Sequence, residues 1–404
     1  MKKVGKKTII VAYASTGSGH TVAARAIAED LRKSYPNIDI YLADILDYFK
    51  NSSSGDQFVS ATSGVLAPIF DKTWRMNFTG RVLWGGGYMW PSFLYKEFED
   101  LITEIHPSAV VCTHFVCANA AAKARLALDD YFPIISVPTD YETEGLWPHR
   151  ETDLFCVASQ VMKNTLVARR VPAEKIHVTG LPVSNDFAIK YSKTDAKQKL
   201  GLPKNKKIAL VIAGANASGP YKNIRKTLNG AIEYFAKMDW MHFVICVGFD
   251  TDYADKIDAL SYKHKAQNIS IVSFTENLAE LMAASDIALI KPGGLAVTEC
   301  AAAKLPVILV GKTYAQENIN RRYLVAYGAA EHTVSSKGVA SMLQGIFANK
   351  NRYKTLKTNI SKVAKTDAAH KIAQAAMVAS EVRQVPEKKH LSSIYIGKTP
   401  VHTR

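Results

Sequence analysis

The chain has 404 residues, enough for two domains with cores of their own, and its 48% hydrophobic and 22% charged content is that of an ordinary globular enzyme. No apolar run is long enough to span a bilayer, because Lys291, Glu299 and Lys304 interrupt the best candidate. A formal net charge of +15 asks for an anionic partner; no zinc knuckle, helix-turn-helix or RNP-like motif accompanies it, which turns the reading away from nucleic acid and toward phosphates or anionic lipid.

In chain order, basic Met1–Lys7 precedes apolar Thr8–Ala14, the outline of a signal peptide. The apolar core is short, however, and a glycine loop (Ser15–Gly19) and an amphipathic helix (Thr21–Ser34) follow at once. The segment therefore reads as a first β-strand. Further strands are expected at Ile38–Leu42, Ala109–Thr113, Ile134–Val137, Leu154–Ala158 and Ile176–Thr179, with alanine-rich helices between them. The pattern restarts after a lysine-rich stretch. A strand at Lys207–Ala213, a loop at Gly214–Pro220 and a helix at Asn223–Lys237 precede strands at His242–Val247, Ile269–Ser273, Asp286–Ile290 and Pro306–Val310. This alternation predicts an α/β chain with two parallel sheets, each covered on both faces, and a cleft between two domains.

The expected divisions are residues 1–185, a linker over 186–206, a second domain over 207–365, and a C-terminal helix and basic tail over 366–404. Residues 49–96 break the alternation. Aromatics there, from Phe70 to Tyr95, are interleaved with Lys72, Arg75 and Arg81, the chemistry of a membrane-interface or acceptor segment; packing onto the first domain is the plainer alternative. The five cysteines, Cys112, Cys117, Cys156, Cys246 and Cys300, show no metal-ligand spacing and read as buried free thiols of a reducing compartment.

The most informative stretch is Lys291-Pro-Gly-Gly-Leu-Ala-Val-Thr-Glu299. A strand ending in Gly293-Gly294 and opening a helix offers free backbone N–H groups and a positive dipole end to an anion. Glu299 on that helix suits ribose hydroxyls. After the next strand, Gln316 and Asn320 lie four apart on one helical face with Glu317 on the flank, a set suited to a polyhydroxylated sugar. Together these residues describe a nucleotide-sugar site. Ser15-Thr-Gly-Ser-Gly-His20 ends the first strand; Gly17 and Gly19 permit a tight turn, and His20 is either a proton acceptor facing the cleft or a structural helix start.

The run Ser15 to Ile27, with its Gly-His-x-x-Ala-Ala-x-Ala-Ile ending, resembles the glycolipid-synthesising glycosyltransferases of the MGDG synthase and processive diacylglycerol glucosyltransferase type. Val178-Thr-Gly-Leu-Pro-Val183 is similar to their Thr-Gly-Ile-Pro-Val segment, and Lys291 to Asn320 resembles their donor motif. The resemblance runs from about residue 8 to 330. It implies a GT-B fold of two Rossmann-like domains facing an interdomain cleft, a UDP-sugar donor substrate, no metal or other cofactor, and inverting transfer of a hexose. By matching position His20 is the candidate base. Glu299 would hold the ribose, Gln316, Glu317 and Asn320 the sugar, Gly293 and Gly294 the diphosphate, and Phe274-Thr275 the uracil. Asp140, in a matching Thr-Asp pair, would orient the acceptor, tune His20 or cap its own turn.

Two departures concern the donor pocket. Gly214-Ala-Asn-Ala-Ser-Gly219 is less glycine-rich than the family loop, leaving Ser218 and Gly219 as its expected phosphate contacts, and Ala315 stands where a glycine is usual. The expected acceptor is a lipid, diacylglycerol by association, met at an anionic membrane surface by a cytoplasmic, peripherally attached enzyme. A soluble acceptor and a non-catalytic nucleotide-sugar or lipid-binding regulator are the alternatives. A 2-epimerase would need carboxylates placed for anomeric chemistry, which the sequence does not identify.

Overall fold

The computed structural model describes residues 7–15, 18–48, 96–128, 131–142, 147, 150–214, 221–313 and 315–381. Two six-stranded sheets organise them, and every strand pair is parallel.

The first sheet has the order β2-β1-β3-β4-β5-β6, from β1 (Thr8–Tyr13), β2 (Asp39–Asp44), β3 (Ala109–Cys112), β4 (Ile134–Ser136), β5 (Leu154–Val157) and β6 (Ile176–Val178). Its central strands are apolar throughout because helices cover both faces: Ile9 to Ala12 and Ala109 to Cys112 are fully buried. The helix Ser18–Ser34 lies on one face through Ala24, Ile27, Ala28 and Leu31. It closes on Arg32 and Lys33, which complement the negative end of the helix dipole. Its start at Ser18, three residues earlier than expected, puts Gly19 and His20 inside the first turn.

The second sheet runs β12-β11-β10-β7-β8-β9, from β7 (Lys207–Ile212), β8 (Met241–Gly248), β9 (Ile269–Ser273), β10 (Ile287–Ile290), β11 (Val307–Val310) and β12 (Ala330–Thr333). Strand order reverses between β7 and β10, and a crevice forms at the carboxyl ends of strands at such a point. Strand β12 was not expected. Its Ala-Glu-His-Thr sequence is polar because it pairs on one side only, with β11, at the edge of the sheet. The helix Lys96–Ile105 was also not anticipated; it buries Phe98 and Ile102, one helical turn apart. The remainder of the expected 49–96 segment lies outside the described residues.

The C-terminal helix Ala368–Glu381 packs on the first domain, with Ile372, Ala373 and Ala376 in one cluster with Ala24, Ile27 and Ala28. His370 Nδ1 meets Asp30 Oδ2 at 3.1 Å, and Lys365 Nζ donates to Val178 O at 2.7 Å. The crossing explains the glycine of the Thr-Gly-Leu-Pro segment. Gly180 has φ +86°, and a Cβ there would stand 2.8 Å from Cβ of Lys365.

Candidate active site

The expected site residues within the described part of the chain stand at or just beyond carboxyl ends of strands, from both sheets. His20 follows β1, Asp140 follows β4, Phe274-Thr275 follow β9, Gly293-Gly294 follow β10, and Gln316, Glu317 and Asn320 lie on the helix after β11. Gly17, Ser218 and Gly219 lie outside the described residues.

His20 Nδ1 is 2.9 Å from Thr113 O and 3.1 Å from Thr139 Oγ1. Because a carbonyl oxygen can only accept, Nδ1 carries the proton and Nε2 keeps its lone pair. Thr113 grips the same residue a second time, its hydroxyl donating to His20 O at 3.1 Å. Burial lowers the His20 pKa below its usual value, opposed by the Thr113 carbonyl and reinforced by the charge of Lys291. The ring is therefore neutral at pH 7 and able to take a proton. His114 stands edge-on to it, with centroids 4.6 Å apart. His114 Nδ1 accepts from Val116 N and caps the helix Phe115–Ala127, which holds its ring in place beside His20.

Across the cleft, Gly293 is the N-cap of the helix Gly294–Ala302 and no side chain caps it. The first domain meets this turn directly: a Cβ on Gly294 would fall on the carbonyl oxygen of Thr139. Glycine is thus demanded here by the approach of another backbone. Lys291 Nζ bonds Glu317 Oε1 at 2.7 Å and lies 5.1 Å from the centre of the Tyr221 ring. Burial works to lower the Lys291 pKa, but the Glu317 carboxylate more than offsets it and the group stays charged. That places a fixed positive charge beside the glycine turn.

Glu299 is 9% exposed, and burial alone raises its pKa to about 7. No hydrogen-bond partner reaches its carboxylate among the described residues. Gln316 is half-buried, and no hydrogen bond from its side chain is found among the described residues. Phe274 stacks on Phe249 at 4.6 Å, and both rings are exposed beyond β8 and β9. Phe249 was missed in the sequence, where nothing distinguishes it from a loop aromatic.

Two residues are engaged with protein groups. Asn320, expected on the sugar, is fully buried: Oδ1 accepts from Tyr141 N at 2.9 Å, while Nδ2 donates to Asp140 Oδ1 at 2.7 Å and to Pro292 O at 3.1 Å. Asp140, expected to orient the acceptor, tune His20 or cap its own turn, accepts from Asn320. Burial raises its pKa to about 6 against the pull of Asn320 and Lys291. Thr113 and Thr139 are what hydrogen-bond the His20 ring. Tyr141 completes the contact by entering the core of the second domain, stacked on Tyr323 at 5.1 Å and bonded through its hydroxyl to Thr298 Oγ1 at 2.7 Å.

All five cysteines are buried and free. Among the described residues no group of three or more His, Cys, Asp or Glu is placed to hold a metal, and no helix is long and apolar enough to cross a membrane.

With this geometry in view, residues 20–183 match the family model of monogalactosyldiacylglycerol (MGDG) synthase, and residues 221–372 match that of the glycosyltransferase family 28 C-terminal domain. The processive diacylglycerol beta-glucosyltransferase of Bacillus cereus strain B4264 is 28% identical over 338 residues, which cover 80% of this chain and 81% of that protein. The protein of the same name from strain AH187 is 25% identical over 391 residues, 93% of this chain and 94% of its own length. Two solved structures share the fold at low identity. UDP-GlcNAc 2-epimerase from Neisseria meningitidis superposes with a TM-score of 0.63 at 16% identity, covering 92% of this chain and all of that one. Acinetobacter baumannii MurG gives 0.60 at 16% identity, covering 92% and 99%. The two family matches lie on either side of the linker, the first taking in β2 to β6 and the second β8 to β12: on its GT-B fold the chain carries an MGDG synthase domain followed by a glycosyltransferase family 28 C-terminal domain.

Proposed function

We propose that this chain moves a hexose from a UDP-sugar to the hydroxyl of a lipid acceptor, diacylglycerol, at a membrane surface, with inversion at the anomeric carbon. The observation that carries the proposal is the arrangement of His20, its Nδ1 committed to Thr113 O, at a joint where the first domain abuts the Gly293-Gly294 turn. The half of the chain that carries His20 is also the half that matches MGDG synthase.

In this reading the acceptor hydroxyl attacks the anomeric carbon while His20 Nε2 takes its proton. The bond from that carbon to the diphosphate oxygen breaks, and UDP departs with the electron pair. The charge gathering on the diphosphate meets the uncapped helix start at Gly293 and the ammonium of Lys291. Glu299 accepts from the ribose, Phe274-Thr275 border the uracil, and Gln316 reaches the sugar with Glu317 beside it. Closure of the joint keeps water from the donor. The net charge of +15 supplies attraction to anionic lipid, on the order of 1 kcal/mol per basic residue at the surface.

The test is nucleotide release from UDP-glucose and UDP-galactose, with diacylglycerol in anionic mixed micelles, for the native chain and His20→Ala. Release that requires the acceptor and collapses in the variant, while donor binding persists, is the expected result. Donor binding without acceptor-dependent release would overturn the lipid acceptor; no binding of either donor would overturn the sugar assignment. Sedimentation with anionic vesicles, expected to weaken as salt rises, tests the membrane surface separately.

A further inference from the structure

Asn320 sits on the face of its helix that the sequence pattern would turn toward the sugar, yet its amide is consumed by protein groups from both sides of the cleft. The oxygen accepts from the backbone of Tyr141, and the two N–H groups serve Asp140 and Pro292. Asn320 is wholly enclosed, so no donor hydroxyl reaches it without breaking one of these bonds. The first-domain segment it holds is the one that touches the base: Thr139, next to Asp140, meets His20 Nδ1 with its hydroxyl and the Gly294 turn with its carbonyl. A continuous run of contacts therefore leads from the donor-domain helix through Asn320, residues 139–141 and Thr139 Oγ1 to His20. Tyr141 anchors the same segment, buried against Tyr323 and bonded to Thr298.

We propose that Asn320 is a positioning residue that registers the His20 base of the first domain against the donor turn of the second. It acts with Asp140 as an interdomain latch, not as a sugar ligand, and the inference rests on the transfer reaction proposed above. A sugar ligand contributes to the affinity for UDP-sugar over UDP; a latch contributes to turnover. Misplacing a catalytic group by about 1 Å can cost on the order of 10²-fold in rate.

The experiment compares Asn320→Ala, Asp140→Ala, Asp140→Asn and the Asn320→Ala/Asp140→Ala pair, each checked for native circular dichroism and thermal midpoint. UDP and UDP-glucose affinities should stay within ~3-fold of the native chain, while kcat falls by ~10²-fold in each alanine variant. The double variant should be no worse than Asn320→Ala, which already removes the bond to Asp140. Asp140→Asn, whose amide oxygen still accepts from Asn320 Nδ2, should retain most turnover. A selective loss of UDP-glucose affinity in Asn320→Ala, with UDP affinity intact, would make Asn320 a sugar ligand and overturn the latch. Loss of turnover in Asp140→Asn equal to that in Asp140→Ala, with Asn320→Ala mild, would overturn it in favour of direct catalysis by Asp140. One readout needs no substrate. Hydrogen exchange at the Tyr141 amide should quicken in Asn320→Ala, and an unchanged rate would also sink the latch, whatever the enzyme transfers. An inactive native chain with slow Tyr141 exchange would instead leave the latch standing and remove the proposed reaction.

Discussion

His20 and Glu299 lie on opposite sides of the same joint, and burial acts on both with opposite results. It lowers the pKa of the histidine and raises that of the glutamic acid to about 7, because in each case the charged form is the one disfavoured. The difference lies in what surrounds them. His20 is held by a carbonyl and a hydroxyl that fix its tautomer before any ligand arrives. Glu299 has burial as its sole cause of shift and no protein partner among the described residues. One group is fixed by the fold, and the other has no protein group fixing it among the described residues.

The largest effect expected from breaking this comparison is on the base. His20→Ala should lower kcat by ~10²–10⁴-fold with little change in donor affinity, measured by steady-state nucleotide release and equilibrium binding. Glu299→Gln removes the charged acceptor from the other pocket, and a charge-assisted hydrogen bond is worth about 1.5–3 kcal/mol, so donor affinity should fall by ~10–100-fold with kcat less affected. Gly294→Ala places a methyl group on the Thr139 carbonyl, forcing the two domains apart. Overpacking of this kind costs about 1–3 kcal/mol, to be read as a lower thermal midpoint, and kcat should fall with it. Tyr141→Phe removes only the bond to Thr298 Oγ1, a loss of about 1 kcal/mol by denaturant titration.

The two pKa shifts sharpen the comparison through pH. Ribose hydroxyls donate to the ionised carboxylate, so donor binding should weaken as pH falls through about 7 and Glu299 takes up a proton. The histidine remains neutral until lower pH, so kcat at saturating donor should fall only below the usual histidine range. Isothermal titration should find proton release on donor binding near pH 7, absent in Glu299→Gln. Stability without donor runs the other way. The folded Glu299 pKa is raised, so the unliganded protein binds a proton that the unfolded chain lacks between its ordinary pKa and about 7; stability contributed by this group is highest at low pH and declines as pH rises through 7.

Much of the fold was legible from local signals. The central strands announce themselves as β-branched apolar runs because both faces are covered, and the Gly-Gly helix start after β10 follows from its dipeptide. What escaped was whatever lacked that signature. Strand β12 is polar because it is an edge, and the helix Lys96–Ile105 adjoins an aromatic segment that obscures its Phe98 and Ile102 spacing. His20, Gly293, Gly294, Glu299 and Gln316, read from the sequence as site candidates, all stand at the carboxyl edges of the sheets or on the helices that begin there. Asn320 was placed on the correct helix and given a different partner. A four-residue spacing tells which side chains share a helical face, but not what that face meets.

The sequence by itself determined the two α/β halves, the glycine turn and the identity of the titrating groups, since each depends on residues close together in the chain. Only the tertiary structure decided how the halves join. Asn320 and Asp140 are separated by 180 positions, and Tyr141 and Thr298 by 157, and no local preference specifies which of these polar groups will pair. That pairing is fixed by burial. Once Tyr141 enters the core of the second domain, the amides and carboxylates carried in beside it must find partners or remain unsatisfied out of water.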